Sequence, residues 1–288
     1  MATTSVQMAS SSVTPEEIIS ALKSRQLHDK YQPIWNIRES TPTIISAEQL
    51  ARWDSISPDI FLAVAKQHTV DTGFTLMDKI TLELMQQGCH SLVKFNKKKK
   101  EGSTTSNLQY ITVNLGADQF LNSVFMSKVE SLIPPHLRNQ ITLELLENWG
   151  EDVESRLESS LTPLTDALNH AKSLGFKLSL DDVGTDNHNI DMIMDPKYAE
   201  LLSMFDYLKI DASLVCPGGY GSGTLPNVEV ISQIIERMKS LHGGKCCKII
   251  CEGVETAEQL KVLEKIECIT YVQGWFFGRA TSFDEVTL

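Results

Sequence analysis

The sequence has 288 residues, of which 42% are hydrophobic and 22% charged, as in an ordinary globular protein long enough for one large domain. Its formal net charge of −11 argues against broad binding to a nucleic-acid backbone, which requires a basic surface. The charge leaves open a small anionic ligand held through metal ions.

The first 13 residues are small and rich in hydroxyl groups, so we expect a disordered tail at 1–13 followed by one domain at 14–288. The tail lacks the basic and apolar regions of a signal peptide. No apolar run approaches the roughly 20 residues that a membrane helix needs. Membrane insertion is therefore not expected, and a cytoplasmic location is.

The six cysteines show neither a C-x-x-C pair nor the spacing of a zinc site. In a chain of this length we interpret them as reduced thiols of a cytoplasmic protein. The alternative is a redox-sensitive group at Cys246, Cys247 and Cys251.

The first predicted elements are a helix, two strands and two further helices. Thr14-Pro15-Glu16-Glu17 predicts a helix start, with a capping hydroxyl, a proline and acids in the first turn. Strand patterns follow at 31–37 and 43–53. Only about five residues separate them, too few for a parallel crossover, so we expect an antiparallel pair. Helical spacing is predicted at 57–68 and 72–87.

The lysine run Lys97–Lys100 lies in a predicted polar loop, 95–107, and is interpreted as a solvated turn. From residue 110 onward, strands and helical patterns alternate. The predicted strands are 110–114, 141–147, 177–182, 205–211, 248–252 and 269–273. The predicted helical stretches are 115–133, 151–174, 227–241 and one starting at Thr256, with 186–204 as a loop that holds a short helix. Eight strands in this order predict an α/β fold, a modified (β/α)8 TIM-type barrel with an antiparallel first strand.

Polar side chains recur at or near the carboxyl end of each strand after the first. They are Glu48, Asn114, Glu144, Asp181 with Asp182, Lys209, Glu252 and Gln273. Each has a structural explanation when taken alone, but barrel strand ends converge on one face, where unpaired carboxylates carry a heavy electrostatic cost. Oxygen ligands suit Mg²⁺ or Mn²⁺ better than zinc. The pattern predicts a divalent-cation site for phosphoryl chemistry.

These residues belong to eight motifs in a fixed order. The motifs are Tyr31-Gln32-Pro33-Ile34, Glu48-Gln49-Leu50 with Arg52-Trp53, Val113-Asn114-Leu115, Leu143-Glu144 with Glu147, Asp181-Asp182-Val183-Gly184-Thr185, Leu208-Lys209-Ile210-Asp211, Glu252-Gly253-Val254-Glu255-Thr256 and Gln273-Gly274-Trp275-Phe276-Phe277-Gly278-Arg279. From about Thr14 to Asp284 the chain resembles the EAL-domain cyclic-di-GMP phosphodiesterases. The resemblance implies opening of one phosphodiester of cyclic-di-GMP to give linear pGpG.

The resemblance also implies a role for each matching residue, together with two Mg²⁺ or Mn²⁺ ions. One metal ion would be held by Glu48, Asn114, Glu144 and Asp181, and the other by Asp181, Asp182 and Glu252. The remaining catalytic roles would fall to Lys209, which orients or activates the attacking water, Gln273, which supports the water and metal shell, and Glu147, which braces the loop after the aspartates. Substrate contacts would come from Gln32, Leu50 and Arg52, with Glu255 nearby. A homodimer is expected by resemblance.

Four positions depart from the family pattern. Gln49 stands in place of alanine in the signature triplet, where no metal ligand is changed. Val183 and Asp186 stand in place of phenylalanine and glycine after the aspartate pair, and the segment before Lys209 is longer than usual. In the family this segment links the metal site to the dimer interface. Ala280 in place of proline is a minor change.

Two other functions remain open. One is a catalytically idle module that binds cyclic-di-GMP or a protein partner. The other is a barrel phosphodiesterase with a different substrate, which the matches at Gln32, Leu50 and Arg52 disfavour. Because no metal ligand of the family pattern is missing, the sequence favours the enzyme.

Overall fold

The computed structural model describes residues 13–149 and 151–288. The predicted tail therefore lies outside the described residues except for Val13, which is buried. The strands are β1 Leu27–Asn36, β2 Thr43–Trp53, β3 Thr69–Asp71, β4 Phe74–Thr75, β5 Tyr110–Leu115, β6 Ile141–Leu145, β7 Lys177–Val183, β8 Tyr207–Ile210, β9 Lys248–Cys251 and β10 Ile269–Val272.

The helices surround the strands or precede them. They are α1 Pro15–Lys23, α2 Pro58–Gln67, α3 Leu76–Lys100, α4 Ala117–Leu121, α5 Ser123–Leu132, α6 Pro135–Arg138, α7 Glu151–Ser159, α8 Thr162–Ser173, α9 Ile190–Met194, α10 Ala199–Leu202, α11 Ala212–Val215, α12 Val228–Leu241, α13 Ala257–Leu263 and α14 Phe283–Val286. Short 3₁₀ turns occupy Asp186–His188 and Pro196–Tyr198. Within the described part of the chain, no helix is both long enough and apolar enough to cross a membrane.

Eight strands close into a barrel in the order β1-β10-β9-β8-β7-β6-β5-β2. β1 runs antiparallel to both of its neighbours, β2 and β10, whereas the other pairs are parallel. The short connection between β1 and β2 leaves room for a turn but not for a crossover helix. The predicted barrel with an antiparallel first strand is confirmed.

The interior of the barrel changes from apolar to charged along its axis. One end is filled by a buried cluster of Ile34, Ile45, Tyr110, Tyr207, Ile250 and Tyr271. Strand side chains alternate between faces, so residues two positions further along share the inward face. On β5, two such steps lead from Tyr110 through Thr112 to Asn114. On the other strands, one step leads from Tyr207 to Lys209, from Ile250 to Glu252 and from Tyr271 to Gln273. The alternation therefore places the predicted site residues together at the other end.

The helix predicted at 72–87 is wrong at both ends. The chain first forms the β3–β4 hairpin, and α3 begins after Thr75, whose hydroxyl accepts a hydrogen bond from the N–H of Asp78. The helix then continues to Lys100, so the run Lys97–Lys100 is its last turn and not part of a loop. Four ammonium groups there are compatible with the negative end of the helix dipole.

The helix predicted at 151–174 is also wrong as a single element. It is divided into α7 and α8, with Pro163 in the first turn of α8, where a missing N–H costs no hydrogen bond. The helical stretch 115–133 is likewise divided, because the side chain of Asn122 accepts from the backbone at the start of α5. Local capping and proline chemistry explain both breaks.

The reduced state predicted for all six cysteines is wrong for two of them. Cys246 and Cys268 form a disulfide, with their Cα atoms 5.9 Å apart. They precede the neighbouring parallel strands β9 and β10, so the barrel brings them to the same end. The two cysteines are 22 positions apart, with a whole helix between them, and sequence spacing alone cannot show this proximity. Cys247 and Cys251, the other members of the predicted redox group, are free and buried.

Gln49, which departs from the signature triplet, joins β2 to α3 and points away from the site residues. Its Nε2 donates to the carbonyl oxygen of Leu84 at 2.7 Å and lies 2.8 Å from a carboxylate oxygen of Asp29. Gly88 on α3 makes room for the Gln49 side chain, because a Cβ at residue 88 would lie only 3.1 Å from it. The substitution therefore acts on helix packing.

We expect Gly274→Ala to destabilise the barrel strongly. A Cβ at Gly274 would lie 2.1 Å from the carbonyl oxygen of Val254 and 2.4 Å from its nitrogen, and backbone atoms cannot rotate away. The expected loss is about 3 kcal/mol or more in the free energy of unfolding, or a fall in Tm of about 6 °C or more. Thermal unfolding followed by circular dichroism measures it.

Gly102→Ala is the matched control, because no atom lies within 4 Å of its Cβ position and only its φ of 69° opposes a side chain. Its cost should be about 1 kcal/mol. Equal Tm values for the two variants would contradict the close approach of residue 274 to the backbone of Val254.

Candidate active site

A buried lysine is surrounded by carboxylates at the charged end of the barrel. The Nζ atom of Lys209 lies 2.7 Å from Glu144, 2.7 Å from Asp181, 2.9 Å from Glu252 and 3.4 Å from Glu48. Lys209 is only 1% exposed and Glu144 is fully buried. Burial alone would lower the pKa of Lys209, but the four acids outweigh it and hold this pKa well above its usual value. The four acids therefore favour the charged ammonium form of Lys209.

Two amide side chains orient Glu48. The Nδ2 of Asn114 donates to one carboxylate oxygen at 2.9 Å, and the Nε2 of Gln273 donates to the other at 2.8 Å. Burial opposes ionisation of Glu48, but Lys209 and the two amides outweigh it and lower the pKa of this carboxyl. The structure thus places Glu48, Asn114, Lys209 and Gln273 together, as the strand pattern predicts.

The other acids are not fully compensated by this single lysine. Burial raises the pKa of Glu144 and of Glu252 well above the usual value, against the attraction of Lys209. Burial and the charge of Asp181 raise the pKa of Asp182 to about 7. Five carboxylates therefore share one ammonium, and further positive charge is needed before all of them ionise.

A local distortion of β7 brings Asp181 and Asp182 to the same side. In a regular strand adjacent side chains point to opposite faces. Here the pairing with β8 is irregular between Leu180 and Val183, and Asp182 has a φ of 45°. Aspartate tolerates this left-handed conformation better than most residues, at a cost of order 1 kcal/mol. The two carboxylates consequently come within 4.8 Å of each other.

Two groups of three acids have carboxylate oxygens within 4.8 Å of one another. One group is Glu147, Asp181 and Asp182, and the other is Asp182, Asp211 and Glu252. Asp211 was not among the predicted site residues. The sequence could have indicated Asp211, because it directly follows β8 and lies two positions after Lys209. Strand alternation places side chains two positions apart on the same face.

The oxygen atoms present fit divalent cations. Three buried oxygens, Asn114 Oδ1, Glu144 Oε2 and Gln273 Oε1, have no hydrogen-bond partner in the part of the chain that the structure describes. Buried acceptors without a donor are costly, and a bound cation would satisfy them. Carboxylate and amide oxygens are also the ligands that Mg²⁺ and Mn²⁺ prefer.

The residues predicted to contact substrate line the cavity above these acids. Gln32, Leu50 and Arg52 share a cavity of about 530 Å³ with Lys209 and the aspartates. Glu255 has a different environment. Its carboxylate accepts a 2.7 Å hydrogen bond from the backbone N–H of Gly221, in the loop before α12. A substrate contact for Glu255 stays a prediction.

Trp149 and His188 lie directly behind the metal-ligand candidate Asp181, and neither was predicted. The indole Nε1–H of Trp149 can only donate, so it donates to Nε2 of His188 at 3.2 Å. His188 Nδ1 therefore carries the proton and donates to the carbonyl oxygen of Asp181. Burial lowers the pKa of His188 to about 4, so the ring is neutral.

A second contact holds the same loop. The Nδ2 of Asn187 donates to the carboxylate of Glu154 in α7 at 2.6 Å. Asp186, which stands where the family has glycine, adopts a φ of 38°, and this explains why glycine is usual there. Asp186 is visible in the sequence as a departure from the family pattern, but the contacts of Asn187 and His188 with Glu154 and Trp149 are not.

Comparisons with known proteins agree with this arrangement. The sequence profile of the EAL domain matches residues 16–280. An Escherichia coli (strain K12) protein named probable cyclic di-GMP phosphodiesterase PdeG is 28% identical over 280 residues, which cover 94% of this chain and 48% of that protein. The cyclic di-GMP phosphodiesterase NbdA of Pseudomonas aeruginosa is 25% identical over 269 residues, which cover 92% of this chain and 30% of that protein. The chain thus spans less than half the length of these relatives.

Solved structures with the same fold include two that are covered almost completely. The PaMucR phosphodiesterase, solved in complex with c-di-GMP, matches with a TM-score of 0.71 and 23% identity, over 94% of this chain and 98% of that one. An EAL domain protein from Listeria monocytogenes EGD-e matches with a TM-score of 0.61 and 21% identity, over 95% and 96%. These identities establish the fold alone. Because the family profile spans most of the sequence, the chain belongs to the EAL domain family.

Proposed function

We propose that this protein is a metal-dependent phosphodiesterase that hydrolyses cyclic-di-GMP to linear pGpG. The observation that carries the proposal is the group of four carboxylates around buried Lys209, with Asp182 beside them, together with three unpaired oxygen acceptors. An acidic group of this kind has little structural value unless cations occupy it. The names of the relatives PdeG and NbdA supply the substrate.

The ligands in this proposal follow the predicted sets. Glu48, Asn114, Glu144 and Asp181 would hold one divalent cation, and Asp181, Asp182 and Glu252 the other. Asp211 and Glu147 lie within reach of the second set and of the aspartate pair. The cations, Mg²⁺ or Mn²⁺, would polarise the phosphodiester and offset the charge that develops as the P–O bond breaks.

The chain's own groups would position the water and the substrate. Lys209 Nζ is a compact cation at the centre of the acids, suited to orienting a water for attack. Gln273 and Asn114 fix both oxygens of Glu48. Gln32, Leu50 and Arg52 would contact the nucleotide in the cavity above. Arg52 is the one cation among these three and would neutralise a phosphate oxygen.

The runner-up is a module that binds cyclic-di-GMP without turnover. The acids proposed as metal ligands lie close together at one end of the barrel, which supports catalysis over binding alone. A homodimer and a cytoplasmic location are further parts of the proposal, and both stay predictions.

The first test is turnover and its dependence on metal. Purified protein with cyclic-di-GMP and Mg²⁺ or Mn²⁺ should form pGpG, measured by chromatography, and EDTA should abolish the product. The same cations should raise the Tm in a concentration-dependent way, because they bind the folded protein and relieve repulsion between the acids. A protein that gives no linear product at high enzyme concentration is not the proposed enzyme.

Glu48→Ala should lower kcat by at least about 100-fold. Loss of a residue that only supports a metal ligand already lowers activity or metal affinity about 10- to 100-fold, and Glu48 is itself a proposed ligand. The fold should persist, because Lys209 keeps three carboxylate partners in Glu144, Asp181 and Glu252. Glu264→Ala, an exposed acid in the sequence after α13, is the matched control and should retain activity. Full activity of Glu48→Ala would show that the site is assigned wrongly.

His188→Ala should disturb the aspartate pair without removing a ligand. The variant loses the hydrogen bond to the Asp181 carbonyl and leaves Trp149 Nε1–H unpaired. We expect kcat to fall about tenfold and the Mn²⁺ concentration for half-maximal activity to rise. His170→Ala, at an exposed position on α8, is the control. An unchanged metal requirement in His188→Ala would argue against a positioning role.

A further inference from the structure

Two exposed aromatic side chains stand at the edge of the proposed active site. Tyr220 comes from the loop 216–227 and is 61% exposed, and Trp275 follows β10 and is 46% exposed. Both line the same cavity as Asp182 and Glu252. A contiguous exposed apolar surface commonly marks a site for a ligand or a partner, and the proposed metal site does not use these two rings.

The two rings form one continuous surface. Their centroids are 4.9 Å apart and their planes differ by only 19°. The guanidinium carbon of Arg279 lies 4.0 Å from the centre of the Trp275 ring, a cation–π contact that fixes the indole. Tyr220 is therefore supported by a stacked neighbour that is itself held.

The loop that carries Tyr220 is built to present it. Gly219 and Gly221, on either side, have φ values of 80° and 79°, which other residues adopt only with strain. The N–H of Gly221 donates to the Glu255 carboxylate, and the N–H of Gly218 donates to the hydroxyl of Thr224. The exposure of Tyr220 thus belongs to an anchored loop and not to a loose one.

We propose that Tyr220, backed by Trp275, is a stacking subsite for a purine base of the substrate. The inference rests on the proposed function, because a cyclic dinucleotide carries its bases next to the phosphates that the acids and cations would bind. An aromatic face takes a base without hydrogen bonds and loses little conformational freedom. Tyr220 and the phosphate-handling acids share one cavity, so one ligand reaches both.

In this arrangement Glu255 is a positioning residue. Its carboxylate accepts the hydrogen bond from the N–H of Gly221 and so holds the backbone next to Tyr220, whose ring lines the cavity.

The test compares Tyr220→Ala, Tyr220→Phe and Leu225→Ala with the wild-type protein. Tyr220→Ala should raise KM for cyclic-di-GMP about tenfold, with kcat changed less than about twofold, because the ring binds a base and takes no part in bond breaking. Tyr220→Phe keeps the ring and should recover the lost affinity. Leu225→Ala alters an exposed apolar side chain of the same loop and controls for general loosening of that loop.

The outcomes separate this inference from the proposed function. Wild-type turnover tests the function by itself. An unchanged KM in Tyr220→Ala, or an equal loss in Tyr220→Phe or Leu225→Ala, overturns the subsite. If the wild-type protein shows no turnover, isothermal titration with cyclic-di-GMP decides: the same pattern in Kd supports the subsite in a binding module, and no binding overturns it. A change of oligomeric mass in Tyr220→Ala with unchanged KM assigns the aromatic pair to a protein interface and also overturns it.

Discussion

The contact of one buried ammonium with four carboxylates is the interaction on which the rest of the site depends. Lys209 and its partners are removed from water, where unpaired charges are most costly. A single positive charge cannot compensate five acids, as the raised pKa values of Glu144, Asp182 and Glu252 show. Full ionisation of the acids therefore requires further positive charge, and the barrel has an open cavity at its charged end.

Strand alternation separates these charged groups from the apolar packing of the barrel. Inward positions two residues apart change from isoleucine and tyrosine at one end to acids, amides and lysine at the other. The apolar end supplies packing, and the charged end carries the chemistry. One irregular residue, Asp182, departs from the alternation and adds a second carboxylate beside Asp181. The strain at Asp182 is thus located where the proposed cations would bind.

Several contacts around the site support its loops without involving the ligand atoms of the acids. The loop after the aspartates is held by His188 with Trp149 and by Asn187 with Glu154. Gln49 contacts α3 and leaves the ligands unchanged. Tyr220 adds an aromatic surface from an anchored loop. These contacts hold the loops around the acids, and under our proposal the aromatic surface contributes to what the cavity accepts.

The sequence by itself determined the barrel, its antiparallel first strand and the residues that gather at its charged end. These follow from strand alternation and from the short connection between β1 and β2, both of which are local properties of the chain. The limits of α3 and the break before α8 were missed because capping and packing override helical periodicity. Tertiary structure alone decided the contact of His188 with Trp149, the pairing of Cys246 with Cys268 and the stacking of Tyr220 on Trp275. Each joins segments far apart in sequence, and their distance is set only when the barrel closes.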